Sequence, residues 1–185
     1  MINMDGLKIE NVVASSSMEK KLDLEEVSRV LEGSEYDPEK FPGLVYRIDE
    51  PKTAILLFTS GKVVCTGGKT VDEAKTSVNK IKKLLNERDI ETADDITVTI
   101  QNIVASYSLE ADLNLSSVAI TLGLERVEYE PEQFPGLVYR LRESPVVLLL
   151  FGSGKMVCTG GKTIEDLEEA VELIKDELKG AGLIH

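Results

Sequence analysis

The hydrophobic pattern of the chain describes the same series of elements twice. In each half, an alternating segment typical of a β-strand precedes a short stretch with helical spacing: LKIENVVAS and LDLEEVSRVLEG in the first half, ITVTIQNIVAS and LNLSSVAITLGL in the second. Three further extended runs follow, FPGLVYRI, TAILLF and KVVCTGG in the first half, and a long amphipathic helix closes each half. Because the loops between the runs are too short for crossover helices, the pattern predicts antiparallel strands in an α+β fold.

Four polar side chains are placed to begin the predicted helices. These N-cap residues are Asp23 and Asn114 for the short helices and Thr70 and Thr163 for the long ones. Three residues after each threonine stands an acid, Glu73 or Asp166, which predicts a capping box or a close analogue. Gly180 is predicted to end the last helix.

The repetition extends to the residues themselves. Residues 41–70 and 134–163 are identical at 21 of 30 positions without a gap, at an offset of 93, and NVVAS from Asn11 matches NIVAS from Asn102 at an offset of 91. A period of this length is too long for a solenoid and suits a domain built from two similar halves. We therefore predict two repeat halves, 1–93 and 94–185, that together form one pseudo-twofold domain.

The central strands are apolar on both faces. In TAILLF, Ala54, Leu56 and Phe58 point one way while Ile55 and Leu57 point the other, and VVLLLF behaves alike. The four predicted helices can cover only one side of such a sheet, so the second face needs a partner. That partner is either another molecule, or the other half, or a second copy of the chain.

Composition narrows the class of protein. The chain is acidic, with a formal net charge of −12, yet two basic islands coincide with the repeated stretches at 41–70 and 134–163. Neither an apolar run of about 20 residues nor a signal peptide is visible, which predicts an intracellular protein. We expect the equivalent Cys65 and Cys158 to be buried thiols, because a cytosolic disulfide is disfavoured and a single histidine leaves no zinc ligand set.

The repeated VCTGGKT is not a phosphate-binding loop. That motif needs a glycine five residues before its Gly-Lys-Thr, where this chain has Val63 and Met156. No nucleophile, base and orienting group recur together, so we predict no catalytic activity, no metal and no cofactor.

Three residue types recur on the apolar strands and change the interpretation of the open face. All four phenylalanines fall at two repeat-equivalent positions, an asparagine interrupts the first strand of each half, and a threonine follows each cysteine. Each of these could be a core residue. Together with the basic islands, however, paired apolar wedges and amide side chains are what a protein that binds the DNA minor groove requires.

Over nearly its whole length the sequence resembles the TATA-binding protein family. The resemblance rests on FPGLVYR at 41 and 134, LLF-x-SGK at 56 and 149, VCTG at 64 and 157, and the NxVAS settings of Asn11 and Asn102. The chain begins almost at the repeat core, which resembles the archaeal type. The resemblance implies a pseudo-twofold saddle of two β-α-β4-α repeats, in which a curved ten-stranded antiparallel sheet carries its helices on the convex side.

The resemblance also assigns the DNA contacts, which would lie on the concave side of the sheet. The wedges that kink the DNA at either end of the TATA box would be Phe41 and Phe58, and Phe134 and Phe151. Groove-floor contacts would come from Asn11, Val13, Val64, Thr66, Asn102, Val104, Val157 and Thr159, and Leu56 and Leu149 complete this face. Phosphate contacts would come from Arg47, Lys52, Ser60, Lys62, Arg140, Ser153 and Lys155. Because Pro145 stands where the first half has Lys52, the phosphate contacts cannot be symmetric.

Partners beyond DNA also follow from the resemblance. The loop before the second FPG carries Glu130 and Glu132, which we expect to contact transcription factor B, and RNA polymerase would join the assembly indirectly. A homodimer could form through the apolar face without DNA, and no membrane partner is expected. The expected location is the cytoplasm of a prokaryotic cell, in association with the nucleoid.

Overall fold

The chain forms two compact units in a computed structural model that describes residues 6–185. One unit is Asn11–Gln101, and the other is Asn102–His185 together with residues 6–10. The repeat halves at 1–93 and 94–185 are defined by sequence similarity, not by contacts, and stay a prediction. Each unit contains a sheet of antiparallel strands and two helices.

The first unit has the strand order β2-β3-β4-β1. Its strands are β1 (Lys8–Ser17, whose first three residues belong to the second unit), β2 (Leu44–Ile48), β3 (Thr53–Leu57) and β4 (Lys62–Gly68). Helix α1 (Leu24–Val30) lies between β1 and β2 in the chain, and α2 (Val71–Glu87) follows β4.

The second unit repeats this plan in the order β5-β9-β8-β7-β6. Its strands are β5 (Thr99–Ser108, which begins before Asn102), β6 (Val127–Glu128), β7 (Leu137–Arg140), β8 (Val147–Leu150) and β9 (Lys155–Gly161), and its helices are α3 (Leu115–Leu122) and α4 (Ile164–Gly180). The counterpart of β6 in the first unit is a single bridge between Glu35 and Val45. The described residues therefore form nine strands, and one bridge takes the place of the expected tenth.

The helices begin where the sequence predicts. Asp23 accepts hydrogen bonds from the backbone N–H groups of Glu25 and Glu26, and Asn114 accepts one from Ser117. Thr70 and Thr163 likewise cap α2 and α4. These bonds satisfy N–H groups that have no partner within the helix.

The two long helices differ in their first turn. The capping box is complete in α4, where the carboxylate of Asp166 accepts a hydrogen bond from the backbone N–H of Thr163. In α2 the carboxylate of Glu73 accepts instead from the backbone N–H of Lys69. As predicted, Gly180 is the last residue of α4.

The core of each unit lies between its sheet and its long helix. In the first unit, Ile55, Leu57, Val63 and Cys65 are fully buried, as is the apolar stripe of α2 formed by Ala74, Val78, Ile81 and Leu85. The hydroxyls of Thr53 on β3 and Ser77 on α2 lie 2.8 Å apart, which places the helix against this face. Burial of each such aliphatic side chain contributes about 1.5–3 kcal/mol. The opposite face of the sheet is then the one available for binding.

Candidate nucleic-acid interface

The face of each sheet opposite its core is apolar and partly exposed. We call it the open face. Along β3, buried Thr53, Ile55 and Leu57 alternate with half-buried Ala54 and Leu56, as the alternation in the sequence predicts. Register places Leu56 opposite Val45 on β2 and Val64 on β4, and in the second unit Leu149 lies opposite Val138 and Val157. Each open face thus carries a row of branched aliphatic side chains across three strands.

A pair of phenylalanines lies beside each row. The ring centroids of Phe41 and Phe58 are 5.9 Å apart at an interplanar angle of 66°, and those of Phe134 and Phe151 are 5.9 Å apart at 71°. This edge-to-face arrangement is a preferred aromatic geometry. Phe41 and Phe134 are each 40% exposed, which is unusual for so large an apolar side chain.

Short backbone turns fix the first phenylalanine of each pair. The N–H of Phe41 donates to Asp37 O, and the N–H of Phe134 donates to Glu130 O. Gly43 and Gly136 lie directly beneath the rings, where an added Cβ would come within 2.7 Å of the Phe41 or Phe134 ring. The rings therefore pack on bare backbone, and no side chain separates them from it.

The asparagine and threonine of each open face are hydrogen-bonded to each other. The amide nitrogen of Asn11 donates to Thr66 Oγ1 at 3.1 Å, and its oxygen accepts from the backbone N–H of Gly67 at 2.7 Å. The second unit reproduces this arrangement with Asn102, Thr159 and Gly160 at the same two distances. Val13 and Val104, also half-buried, follow two residues after each asparagine.

The basic residues predicted to contact phosphate, which we call the rim, are exposed. Arg47 forms an ion pair with Glu35 at 3.4 Å, and the equivalent Arg140 forms one with Glu128 at 3.6 Å. Both pairs are largely exposed, so each contributes at most about 1 kcal/mol and an incoming phosphate can displace the carboxylate. Lys52 is also exposed.

The hairpin turns between β3 and β4 and between β8 and β9 carry the other predicted rim residues. Lys62 and Lys155 are exposed, and their backbone N–H groups donate to Ser60 Oγ and Ser153 Oγ. Each serine hydroxyl therefore closes its turn as an acceptor and still has its own hydrogen to donate. The turn thus presents one lysine and one hydroxyl donor side by side in each unit.

The acidic loop of the second unit is surface-exposed. Glu130 and Glu132 lie in the turn before Phe134, and both are exposed. Lys40 occupies the position in the first unit that Gln133 occupies in the second. The two loops therefore differ in charge although they share a backbone turn.

The repeated Gly-Lys-Thr and the two cysteines have structural roles. The repeated Gly-Lys-Thr ends a strand and caps a helix, since the hydroxyls of Thr70 and Thr163 accept from helix N–H groups. Burial raises the pKa of the Cys158 thiol to about 12 and raises the pKa of Cys65 as well. Within residues 6–185 there is no cluster of metal-binding side chains, and no helix is long and apolar enough to cross a membrane.

Some residues of the open face were not predicted. Val45 and Val138, half-buried opposite Leu56 and Leu149, follow only when the alternation is extended to the neighbouring strand, whereas the alternation in TAILLF and VVLLLF already assigns Ala54 and Val147 to this face. The positions of Gly43, Gly136, Gly67 and Gly160 under or beside functional side chains leave no signal in a hydrophobic pattern.

Comparison with known proteins agrees with this geometry. A family model described as transcription factor TFIID (or TATA-binding protein, TBP) matches residues 6–88 and 97–181. The TATA-box-binding protein of Picrophilus torridus is 56% identical over 184 residues, which cover 100% of both chains, and that of Archaeoglobus fulgidus is 57% identical over 178 residues, 96% of this chain and 97% of its own. The solved structure of Methanococcus jannaschii TBP matches with a TM-score of 0.84 at 49% identity and covers 94% of this chain and 98% of that one.

Proposed function

Because the chain belongs to the TATA-binding protein family, we propose that it is a general transcription factor that binds the minor groove of A·T-rich TATA elements in promoters and bends the DNA there. The observation that supports this most directly is the duplicated open face. Each unit combines an apolar strip, a pair of phenylalanines of which one is 40% exposed, and one hydrogen-bonded asparagine and threonine. A protein that read one groove with two equivalent surfaces would need this set twice.

The apolar strip suits the minor groove floor. Val13, Leu56 and Val64, with Val104, Leu149 and Val157 in the second unit, present branched side chains that fill a shallow, widened groove and leave no space for the exocyclic amine of guanine. The asparagine and threonine donate to N3 of adenine and O2 of thymine. Because A·T and T·A show the same acceptors in this groove, the protein prefers A·T to G·C and discriminates weakly between A·T and T·A.

The phenylalanine pairs act as wedges. A side chain that is 40% exposed in the free protein gains apolar burial by entering between two base pairs, and this gain offsets part of the cost of unstacking them. Steps that unstack easily, such as TA, are therefore favoured at the two ends of the site, so that DNA deformability contributes to sequence preference.

The exposed rim holds the DNA backbone. Arg47 and Arg140 exchange their glutamate partners for phosphates, and Lys52, Lys62 and Lys155 add further cations. The hydroxyls of Ser60 and Ser153 donate to phosphate oxygens. Since Lys52 has a proline as its counterpart, the first unit holds one phosphate more than the second.

The acidic loop of the second unit is the docking point for transcription factor B. Glu130 and Glu132 are exposed and lie beside the Phe134 wedge, so a basic surface on that factor can reach them while the DNA is bound. RNA polymerase joins through this assembly. The protein thus binds promoter DNA in a prokaryotic cell, as expected from its archaeal relatives.

A titration with a short TATA duplex labelled at both ends tests the proposal. We expect wild-type protein to bind and shorten the end-to-end distance, and the Phe134→Ala, Phe151→Ala variant to bind weakly and leave the duplex straight. A duplex with G·C pairs in place of the TATA steps serves as control. If wild type binds neither duplex at low salt, even with transcription factor B present, the open face belongs to a protein partner or a second copy of the chain.

A further inference from the structure

A β-bulge lies next to each asparagine of the open face. On β1 and β4, Val12 pairs with Gly68 and Ala14 pairs with Cys65, so the single residue Val13 faces two residues of β4. The same shift occurs in the second unit, where Ile103 pairs with Gly161 and Ala105 with Cys158. The extra residue of a bulge leaves the regular ladder of backbone hydrogen bonds.

Glycine makes this bulge possible. Gly67 has φ of +96° and Gly160 has φ of +93°, a region that other residues rarely adopt. At Gly160 an added Cβ would also lie 2.3 Å from Pro145 O. The bulge turns the glycine N–H away from the neighbouring strand and toward the asparagine side chain, which accepts it at 2.7 Å in both units.

This bond determines which end of the amide faces outward. A backbone N–H can only donate, so the asparagine atom beside it must be the oxygen. The amide nitrogen is then directed to the threonine, to which it donates one hydrogen at 3.1 Å. Its second hydrogen remains available. The threonine hydroxyl oxygen lies 3.5 Å from the asparagine oxygen in the first unit and 3.4 Å in the second, which is a long hydrogen bond, so the hydroxyl can rotate its hydrogen toward a ligand.

We propose that the bulge glycines Gly67 and Gly160 are positioning residues that lock Asn11 and Asn102 so that each asparagine offers its NH₂ donor, and not its oxygen, on the open face. The inference rests on the proposed function and names what selects the bases. A freely rotating amide can turn its oxygen outward and accept from the amine of guanine. The locked amide cannot, so it pairs only with the acceptors of A·T and T·A.

The lock can be observed without DNA. In protein labelled with ¹⁵N and ¹³C, a scalar coupling across the hydrogen bond should connect the Gly67 nitrogen with Cγ of Asn11, and a second should connect Gly160 with Asn102. Absence of both couplings in a folded protein with assigned glycine resonances overturns the proposal, whatever the protein does with DNA.

The effect on base selection needs a variant that loses only the glycine N–H. Replacing Gly67 by glycolic acid through semisynthesis exchanges the amide for an ester and keeps the backbone free to adopt positive φ. We expect the ratio of Kd for a duplex with G·C at the centre of the site to Kd for the A·T duplex to fall at least about fivefold. The same ester at Gly33, which also has positive φ and lies in a turn, should leave the ratio unchanged.

A second variant tests the same prediction in case the ester protein misfolds. Asn11→Asp keeps the oxygen that accepts from Gly67 and replaces the donor NH₂ by an acceptor, so the same ratio should fall. Ser15→Asp adds the same charge to the same face, and it should weaken binding to both duplexes equally and leave the ratio intact. Equal weakening on both duplexes by the ester and by Asn11→Asp would make the glycine merely structural and overturn the proposal. If wild type binds neither duplex, the proposed function fails, while the couplings still report on the lock.

Discussion

The glycine beneath the second phenylalanine pair offers a sharp perturbation of the wedge. In Gly136→Ala, the new Cβ would lie 2.7 Å from Cε2 of Phe134 and 2.9 Å from Cε1 of Phe151. Carbon atoms pack best at about 3.5–4.0 Å, so at least one ring must move by roughly 0.8 Å. The substitution therefore displaces the rings without removing any atom of the wedge.

The cost follows from the ring geometry. A ring forced off its preferred rotamer costs about 0.5–1.5 kcal/mol, and loss of the edge-to-face contact costs about the same. We expect destabilisation of about 1–3 kcal/mol, which in a protein of this size lowers Tm by roughly 2–12 °C. Because the displaced rings no longer fit the base step, affinity for a TATA duplex should fall roughly tenfold, which corresponds to about 1.4 kcal/mol.

Thermal unfolding and the doubly labelled duplex measure the two effects on the same protein. Gly43→Ala, whose Cβ would lie 2.7 Å from Phe41 and 3.0 Å from Phe58, should behave in the same way in the first unit. Gly180→Ala meets nothing within 4 Å at the end of α4, so it should leave DNA bending unchanged and should keep Tm the same or raise it slightly, because alanine favours a helix more than glycine does. If Gly136→Ala has the same Tm as wild type and shortens the labelled duplex to the same extent, the rings are not held on the backbone as described, and the wedge argument fails.

Three further predictions concern partners, ions and thiols. Charge reversal at both Glu130 and Glu132 should preserve binding to DNA alone and abolish the ternary complex with transcription factor B in a mobility-shift assay; an unchanged ternary complex would contradict the assigned docking point. The slope of log Kd against log salt should be shallower than five to seven phosphate contacts alone give, about 0.9 per contact, because the protein carries a net charge of −12; a titration that reaches the full slope refutes this. Since burial raises the pKa of Cys158 to about 12, this thiol stays protonated from pH 7 to 9; because Cys65 is equally buried and its pKa is also raised, both thiols should react with a thiol reagent only after unfolding, and rapid labelling of native protein at pH 8 would exclude their burial.

The sequence predicts the open face because strand alternation is a local property. In TAILLF, the parity of each residue decides its face, and the structure places Ile55 and Leu57 in the core and Ala54 and Leu56 on the other side. The helix starts at Thr70 and Thr163 are also local, since a cap depends on the residue and the three that follow it. Features set within a few residues of each other can be predicted in this way.

Features that depend on the register between two strands cannot be predicted from the local sequence pattern. Strict alternation in VCTGG would place Thr66 and Gly68 on one face, yet the bulge leaves Thr66 half-buried and Gly68 buried. Only the register against β1 reveals the shift, because the extra residue is defined by what it fails to pair with. The buried Glu168 is likewise invisible in the pattern of α4, where charged residues are expected to face solvent.

The differences between the two units indicate what could give the proposed complex a direction. On the open faces, the asparagine, threonine, phenylalanine and most apolar residues are the same in both units, so under the proposed function these faces alone would bind a nearly symmetric site equally well in either orientation. The long helices are not alike: α2 carries four lysines against three acids, whereas α4 carries two lysines against seven acids. The loops before the phenylalanines differ too, with Lys40 in one and Gln133 in the other. A partner that recognises charge can therefore distinguish the units where DNA cannot, and the direction of transcription would follow from the unit to which that partner binds.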